Sequence, residues 1–280
     1  MRRGAGGGTV SGSDDREAPF DPPLALASLS GASDAEWALA GAEHAGAAFL
    51  GGVALDGPTR AAALAMTDRE REEFLPPDPR RWLDRQLSAL SDADLRAGVN
   101  LRSASLGPLR EAAAVCADRG AMVEVNAHCR QAEMCEAGCG EALLSDTERL
   151  ADSVAAVAGT GATTSVKLRA EVEGVDLPAV ARAAVDAGAA IVHVDAMDSE
   201  SVVADVREAV PGAFLVANNG VRGRETVAEY ASYGADAVSV GRPSDDPRVL
   251  GRVAAAVEAE LAADGGGGRN AEDAEPGARP

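Results

Sequence analysis

The stretch Thr163-Thr164-Ser165-Val166-Lys167-Leu168-Arg169 decides the fold class of this 280-residue chain. Its β-branched start reads as a strand. A helical pattern precedes it, Leu143 to Ala158, and another follows, Leu177 to Ala187. A strand with a helix on either side is the repeating unit of a parallel α/β fold. Lys167 is also the only lysine in the sequence; every other basic side chain is arginine. An ammonium is a compact point charge and a guanidinium a planar fork, so the two are not interchangeable at a tight site. Lys167 falls near the C-terminal end of its strand, where α/β barrels build active sites. It reads as a functional residue rather than a solvated strand-end lysine.

The alternation extends in both directions. Toward the N-terminus, strands are expected at Leu24–Leu29, Ala47–Val53, Leu95–Leu101 and Met122–Asn126. Between them Asp34 is placed to cap a helix. A charged, proline-punctuated excursion runs from Asp68 to Arg81, and helices are expected around Trp82–Leu90 and from Pro108 to Asp118. Toward the C-terminus, strands are expected at Ile191–Asp195, Phe214–Asn218 and Ala237–Val240. Helices are expected at Val202–Val210, Glu225–Tyr233 and Pro247–Ala262. Eight strands separated by helices match a (β/α)8 TIM barrel spanning residues 21–263. A doubly wound sheet is the alternative, but no Gly-x-Gly-x-x-Gly opens a helix. Residues 1–20 read as a disordered arm and 264–280 as a disordered acidic tail.

Composition narrows the class. Hydrophobic residues are 46% but aromatics only 3%, so the core is built from Ala, Val and Leu. Net charge is −19. An excess of Asp and Glu with arginine replacing lysine suits solubility in strong salt, and a halophilic source is expected. Such charge opposes nucleic-acid binding at low salt, although strong salt screens it. Three of the four cysteines, Cys129, Cys135 and Cys139, crowd together, which is not a secreted disulfide framework. With no membrane-length apolar run and no secretory leader, a cytoplasmic location is expected. Oligomeric state is not readable.

Polar residues gather at the expected strand ends: Asn100, Asn126, Lys167, His193, Asn218 and Asn219. One asparagine there is an ordinary turn residue; six polar ends in a barrel converge on one rim. Asn218-Asn219-Gly220 follows the seventh strand and Gly241-Arg242-Pro243 the eighth. Barrels often bind phosphate with these two loops, where glycine lets backbone approach and arginine offers a fork. Asn126-Ala127-His128-Cys129-Arg130 sets a cysteine at the same face. The cysteine spacing matches no metal or iron–sulfur pattern. Cys135 and Cys139, one helical turn apart, read as packing residues. His128 either tunes the neighbouring thiol or is a simple loop histidine.

These motifs, in this order, resemble the flavin-binding barrel of the dihydrouridine synthases, most of all its shorter archaeal members. Leu29-Ser30-Gly31-Ala32-Ser33-Asp34 resembles the family's first loop. Val99-Asn100-Leu101 stands where a glutamine touches FMN. Val125-Asn126-Ala127-His128-Cys129 resembles the motif that carries the catalytic cysteine, and Val166-Lys167-Leu168-Arg169 the motif whose lysine contacts flavin. His193, Asn218-Asn219-Gly220 and Gly241-Arg242 match the following strand and the phosphate loops. The likeness covers roughly Pro23 to Leu261. It departs at His128, at Arg130 and at Asp195, where the family has glycine, proline and arginine. A C-terminal helical tRNA-holding domain is also expected to be lacking.

The resemblance implies FMN bound by Leu29, Asn100, Asn126, Lys167, His193, Asn218, Asn219, Gly220, Gly241 and Arg242. It implies NADPH or NADH as electron donor and no metal. It further implies hydride transfer from flavin N5 to C6 of a uracil ring, with Cys129 giving the proton to C5. The partner is a pyrimidine, with uridine in tRNA, reduced to dihydrouridine, as the first expectation. Two readings stay beside it: an enzyme of the dihydropyrimidine or dihydroorotate dehydrogenase type acting on a free base, and a non-catalytic barrel binding a phosphorylated ligand.

Overall fold

The computed structural model describes residues 18–261. Of the arm expected over 1–20 only the last three residues are included, and the tail expected over 264–280 lies outside the described residues. The strands are β1 (Leu24–Leu26), β2 (Ala47–Ala54), β3 (Arg96–Arg102), β4 (Met122–Asn126), β5 (Thr164–Arg169), β6 (Ile191–Asp195), β7 (Phe214–Asn218) and β8 (Ala237–Val240). Each pairs in parallel with the next, and β8 closes on β1. The helices are α1 (Ala35–Gly41), α2 (Gly57–Thr67), α3 (Pro79–Ala89), α4 (Leu106–Asp118), α5 (Ala132–Glu136), α6 (Thr147–Ala158), α7 (Leu177–Asp186), α8 (Val202–Ala209), α9 (Arg224–Ser232) and α10 (Pro247–Glu260). This is the (β/α)8 barrel. No helix among the described residues is long and apolar enough to cross a membrane.

Part of the acidic excess starts the helices. Asp34, Asp56, Asp78, Asp146, Asp176 and Asp246 each accept a first-turn backbone N–H at a helix N-terminus. Each satisfies an otherwise orphaned donor and complements the helix dipole. Asp146 explains one difference from expectation: α6 starts at Thr147, and Gly140–Leu144 is a separate 3-10 turn. Helix α2 was not expected. Its Ala-rich sequence has little apolar–polar contrast, and its signature is the capping box of Asp56 and Thr59 with Pro58 in the first turn. Cys135 and Cys139 do not share a helix. Helix α5 ends at Glu136, and Cys139 precedes the 3-10 turn.

Alternation along the strands divides the core. Outward residues such as Val123, Val125, Val166, Val192 and Leu215 pack with the helices in one continuous cluster. Inward residues Phe49, Met122, Ile191, Val216 and Ala237 form a second cluster inside the barrel. Phe20 joins this inner cluster and meets the Phe214 ring edge-on, with centroids 5.3 Å apart. Above that layer, toward the C-terminal ends, the interior turns polar.

The excursion after α2 folds over one side of the rim. Phe74 bridges to Val53 and meets the Trp82 ring at a tilt of 46°, with centroids 4.9 Å apart. Glu73 reaches Arg102 at 2.6 Å, both side chains almost fully buried. Gly31, at φ +74, lets it pass: a Cβ there would lie 2.3 Å from Glu72. The mouth over β2 and β3 is therefore covered, and the side over β5 to β8 is open.

Candidate active site

Beneath the rim a single hydrogen-bonded line crosses the barrel. Its centre is Glu124 on β4, with no exposure. Burial pushes the Glu124 carboxyl up, but His193 and Lys167 outweigh it and hold the group below the usual carboxylate range. His193 on β6 is equally enclosed. Burial and then Lys167 lower its imidazole, against the opposing pull of Glu124. An ionised carboxylate beside a neutral imidazole fixes the tautomer: Nδ1–H donates to Glu124 Oε2 at 2.6 Å. Nε2 then accepts from the Ser239 hydroxyl at 2.7 Å. Asn218 Nδ2 donates to the same Ser239 oxygen at 2.7 Å.

The other arm uses the remaining carboxylate oxygen. Asn100 Nδ2 donates to Glu124 Oε1 at 2.7 Å, and Asn126 Nδ2 donates to Asn100 Oδ1 at 2.8 Å. Asn126 Oδ1 accepts the backbone N–H of Cys129 at 3.1 Å and that of His128 at 3.4 Å. One carboxylate thus sets both amide orientations and, through them, the loop after β4. Asn100, Asn126 and His193 come together as expected, but in this buried floor and not in the wall of the open cavity. Sequence reading missed Glu124 and Ser239. The available signal was alternation: Glu124 stands two before Asn126, an acid inside an otherwise apolar strand.

Over this floor lies a cavity of about 500 Å³. Of the expected residues, Leu29, Lys167, Asn218, Asn219, Gly220, Gly241 and Arg242 line it, together with His128, Asp195 and Arg222. Three cations against one carboxylate make it a positive site in a chain of net charge −19. Lys167, Arg222 and Arg242 have no ion-pair or side-chain hydrogen-bond partner among the described residues, although Lys167 is only 2% exposed. The turn after β7 is built around Asn219, at φ +91. Its side chain donates to Asp195 at 3.1 Å and accepts from Gly220 N–H at 2.8 Å, and its carbonyl accepts from Tyr230.

Cys129 sits apart from the cavity. The residue is 8% exposed and packs with Ala54, Ala63, Met66 and Met134. Gly140, at φ +65, backs the same loop, and a Cβ there would lie 2.2 Å from the Cys129 carbonyl. The residue of this loop that faces the cavity is His128. Cys135 is half-buried, with Sγ 3.6 Å from the Cys129 carbonyl. Burial pushes the Cys139 thiol up to about 11, which keeps it protonated and unreactive near neutral pH. Among the described residues no group of three His, Cys, Asp or Glu is arranged to hold a metal ion.

The dihydrouridine synthase (Dus) family model matches residues 83–264. Among curated proteins none matches the chain. Solved structures share the fold at low identity. DHODH from Eimeria tenella, in complex with ferulenol, has a TM-score of 0.64 at 12% identity, over 87% of this chain and 82% of that one. A putative lyase/mutase from Burkholderia cenocepacia J2315 has a TM-score of 0.54 at 20% identity, over 86% and 82%. A variant of FabK from Thermotoga maritima has 0.54 at 17%, with 80% of this chain covering 63% of that one.

Proposed function

Because this chain belongs to the dihydrouridine synthase family, we propose that it is an FMN-dependent oxidoreductase that reduces a uracil ring, with uridine in tRNA as the substrate class. The observation that carries this reading is the cavity: three cations in a strongly acidic protein, none in an ion pair or side-chain hydrogen bond among the described residues, call for an anionic ligand. Its volume, about 500 Å³, suits a small-molecule site. The donor set also fits FMN. Arg242 and Arg222, beside Gly220 and Gly241, would hold the phosphate by charge-assisted hydrogen bonds. Lys167 would meet the electron-rich edge of the ring system. Bound FMN would carry two electrons from NADPH or NADH to the pyrimidine.

The chain's own residues supply the rest. Lys167, almost fully buried, offers a positive charge in a site poor in water, where it acts strongly. Cys129 holds the proton for C5 on Sγ. The C5=C6 bond takes one hydride at C6 and this proton at C5, so the ring gains two hydrogens. Delivery requires the loop after β4 to turn Sγ out of its apolar surroundings.

A second reading has its own support. Several exposed arginines are committed to carboxylates: Arg69 to Glu133, Arg80 to Glu111 and Arg224 to Glu260. That leaves little basic surface for an RNA backbone, whose phosphates normally supply much of the affinity. It favours a free dihydropyrimidine or dihydroorotate as substrate, on a barrel fold shared with DHODH. The first test is the absorption spectrum of the purified protein; a flavin spectrum is expected, and failure to take up added FMN would overturn the reading. The second compares turnover on a tRNA transcript, uracil and dihydroorotate, and substrate preference decides between the two classes.

A further inference from the structure

We propose that His128 is a ring-contact residue: its imidazole N–H, beside the Lys167 ammonium, forms a two-donor site for a ring carbonyl oxygen of the molecule bound in the cavity. This rests on the flavin–pyrimidine reading above. The backbone fixes where His128 stands. Ala127 N–H bonds the Lys167 carbonyl at 2.9 Å, which holds the residue after β4 against β5. Asn126 Oδ1 then accepts the next two backbone N–H groups, and the imidazole is left lining the cavity.

Among the described residues the ring has no hydrogen-bond partner. Nδ1 is enclosed and makes no hydrogen bond, and Nε2 makes none either. Burial lowers the imidazole well below its usual 6.5, and the Lys167, Arg102 and Arg169 charges push in the same direction. A neutral imidazole has one donor and one acceptor. Enclosing an unpaired N–H costs more than enclosing a lone pair surrounded by cations, so the proton belongs on Nε2. The cavity therefore meets an uncharged N–H and, from the neighbouring strand β5, a positive ammonium. Two such donors in a site shielded from water suit an oxygen on which negative charge grows. A carbonyl conjugated to a ring that receives hydride is that kind of oxygen. The flavin and the uracil ring both carry one, so the chemistry is shared and the source is a matter for experiment.

The test uses the full-length protein with His128→Ala and His128→Gln. Thermal melts establish folding. FMN affinity is read by flavin fluorescence, and oxidation of the reduced flavin by uridine is read in a stopped flow. If the flavin oxygen is held, His128→Ala weakens FMN about tenfold or more, and Gln, which keeps an N–H, recovers part of the loss. If the pyrimidine oxygen is held, FMN affinity is unchanged and the oxidation step slows about 10²-fold. Imidazole ¹⁵N shifts of wild-type His128, recorded without ligand, with FMN, and with FMN plus uridine, give a readout that needs no variant; a shift in Nε2 is expected on adding one of the two. Wild-type binding and rates in both variants, or unmoved Nε2 shifts in FMN-loaded protein, would overturn the His128 assignment and leave the flavin reading intact. A wild type that takes up no FMN overturns both.

Discussion

Glu124 Oε2 lies 2.6 Å from His193 Nδ1 at the centre of the barrel, with neither residue exposed to solvent. The pair joins the loop after β4 to the turn after β7 through one carboxylate. Removing that carboxylate leaves His193 and Asn100 enclosed without their acceptor. Glu124→Leu is expected to cost about 2–6 kcal/mol, since each of the two buried donors left without an acceptor costs about 1–3 kcal/mol. Glu124→Gln should cost less, because its amide oxygen still accepts one of the two bonds. Urea denaturation measures both. A midpoint unmoved in the Leu variant would mean that the line of hydrogen bonds contributes nothing.

Acid should destabilise this fold earlier than carboxylates alone require. His128 and His193 both have folded-state pKa values below the usual 6.5, so the unfolded chain binds more protons as pH falls through that value. Stability is full above about pH 6.5 and declines below it. Glu124, held below its usual 4.5, continues the decline with the same sign at lower pH. Melting temperatures between about pH 8 and 5 should fall, and the slope should be shallower in His128→Gln. A slope identical to wild type would remove His128 from the account.

Lys167 is expected to resist even arginine. Lys167 is 2% exposed, on β5 between β4 and β6, and a guanidinium needs room to each side. Lys167→Ala and Lys167→Arg should both weaken FMN or change its reduction rate, read by absorbance after desalting and by single-turnover reduction. Unaltered behaviour in the Arg variant would show that charge, not shape, sets this position.

Arg242 should separate the phosphate from the ring. Arg242→Ala is expected to weaken FMN by roughly 10- to 100-fold, the equivalent of about 1.5–3 kcal/mol for a hydrogen bond to a charged group. Riboflavin, without the phosphate, should lose almost nothing. Calorimetric titration with the two ligands makes the comparison; equal losses would place the phosphate elsewhere.

The cysteines should divide by role. Cys129→Ala is expected to keep flavin and to slow pyrimidine reduction about 10²–10⁴-fold, the usual worth of a general acid. Cys135→Ala, half-buried beside the Cys129 carbonyl, should change stability more than rate. Comparable loss of turnover in the two variants would contradict the assignment of Cys129 as proton donor.

Strand order, and helix order apart from α2 and the short α5, was legible from local pattern, because β-branched runs between capped helices admit few arrangements, and eight repeats close into a barrel. Lys167, Asn218, Gly220 and Arg242 were legible for the same reason: strand ends and the turns after them share one face in any such barrel. What local pattern could not decide was depth. Asn100, Asn126 and His193 look like rim residues along the chain, yet cross-strand register sets them beneath the cavity floor, around a Glu124 that no motif had marked. Nor could it decide which way a loop turns. Cys129 and His128 are neighbours in sequence, but Asn126 and Gly140 fix the backbone so that the thiol enters an apolar cluster and the imidazole faces the cavity. Depth and loop direction depend on contacts between residues far apart in the chain, so they exist only once the barrel has closed.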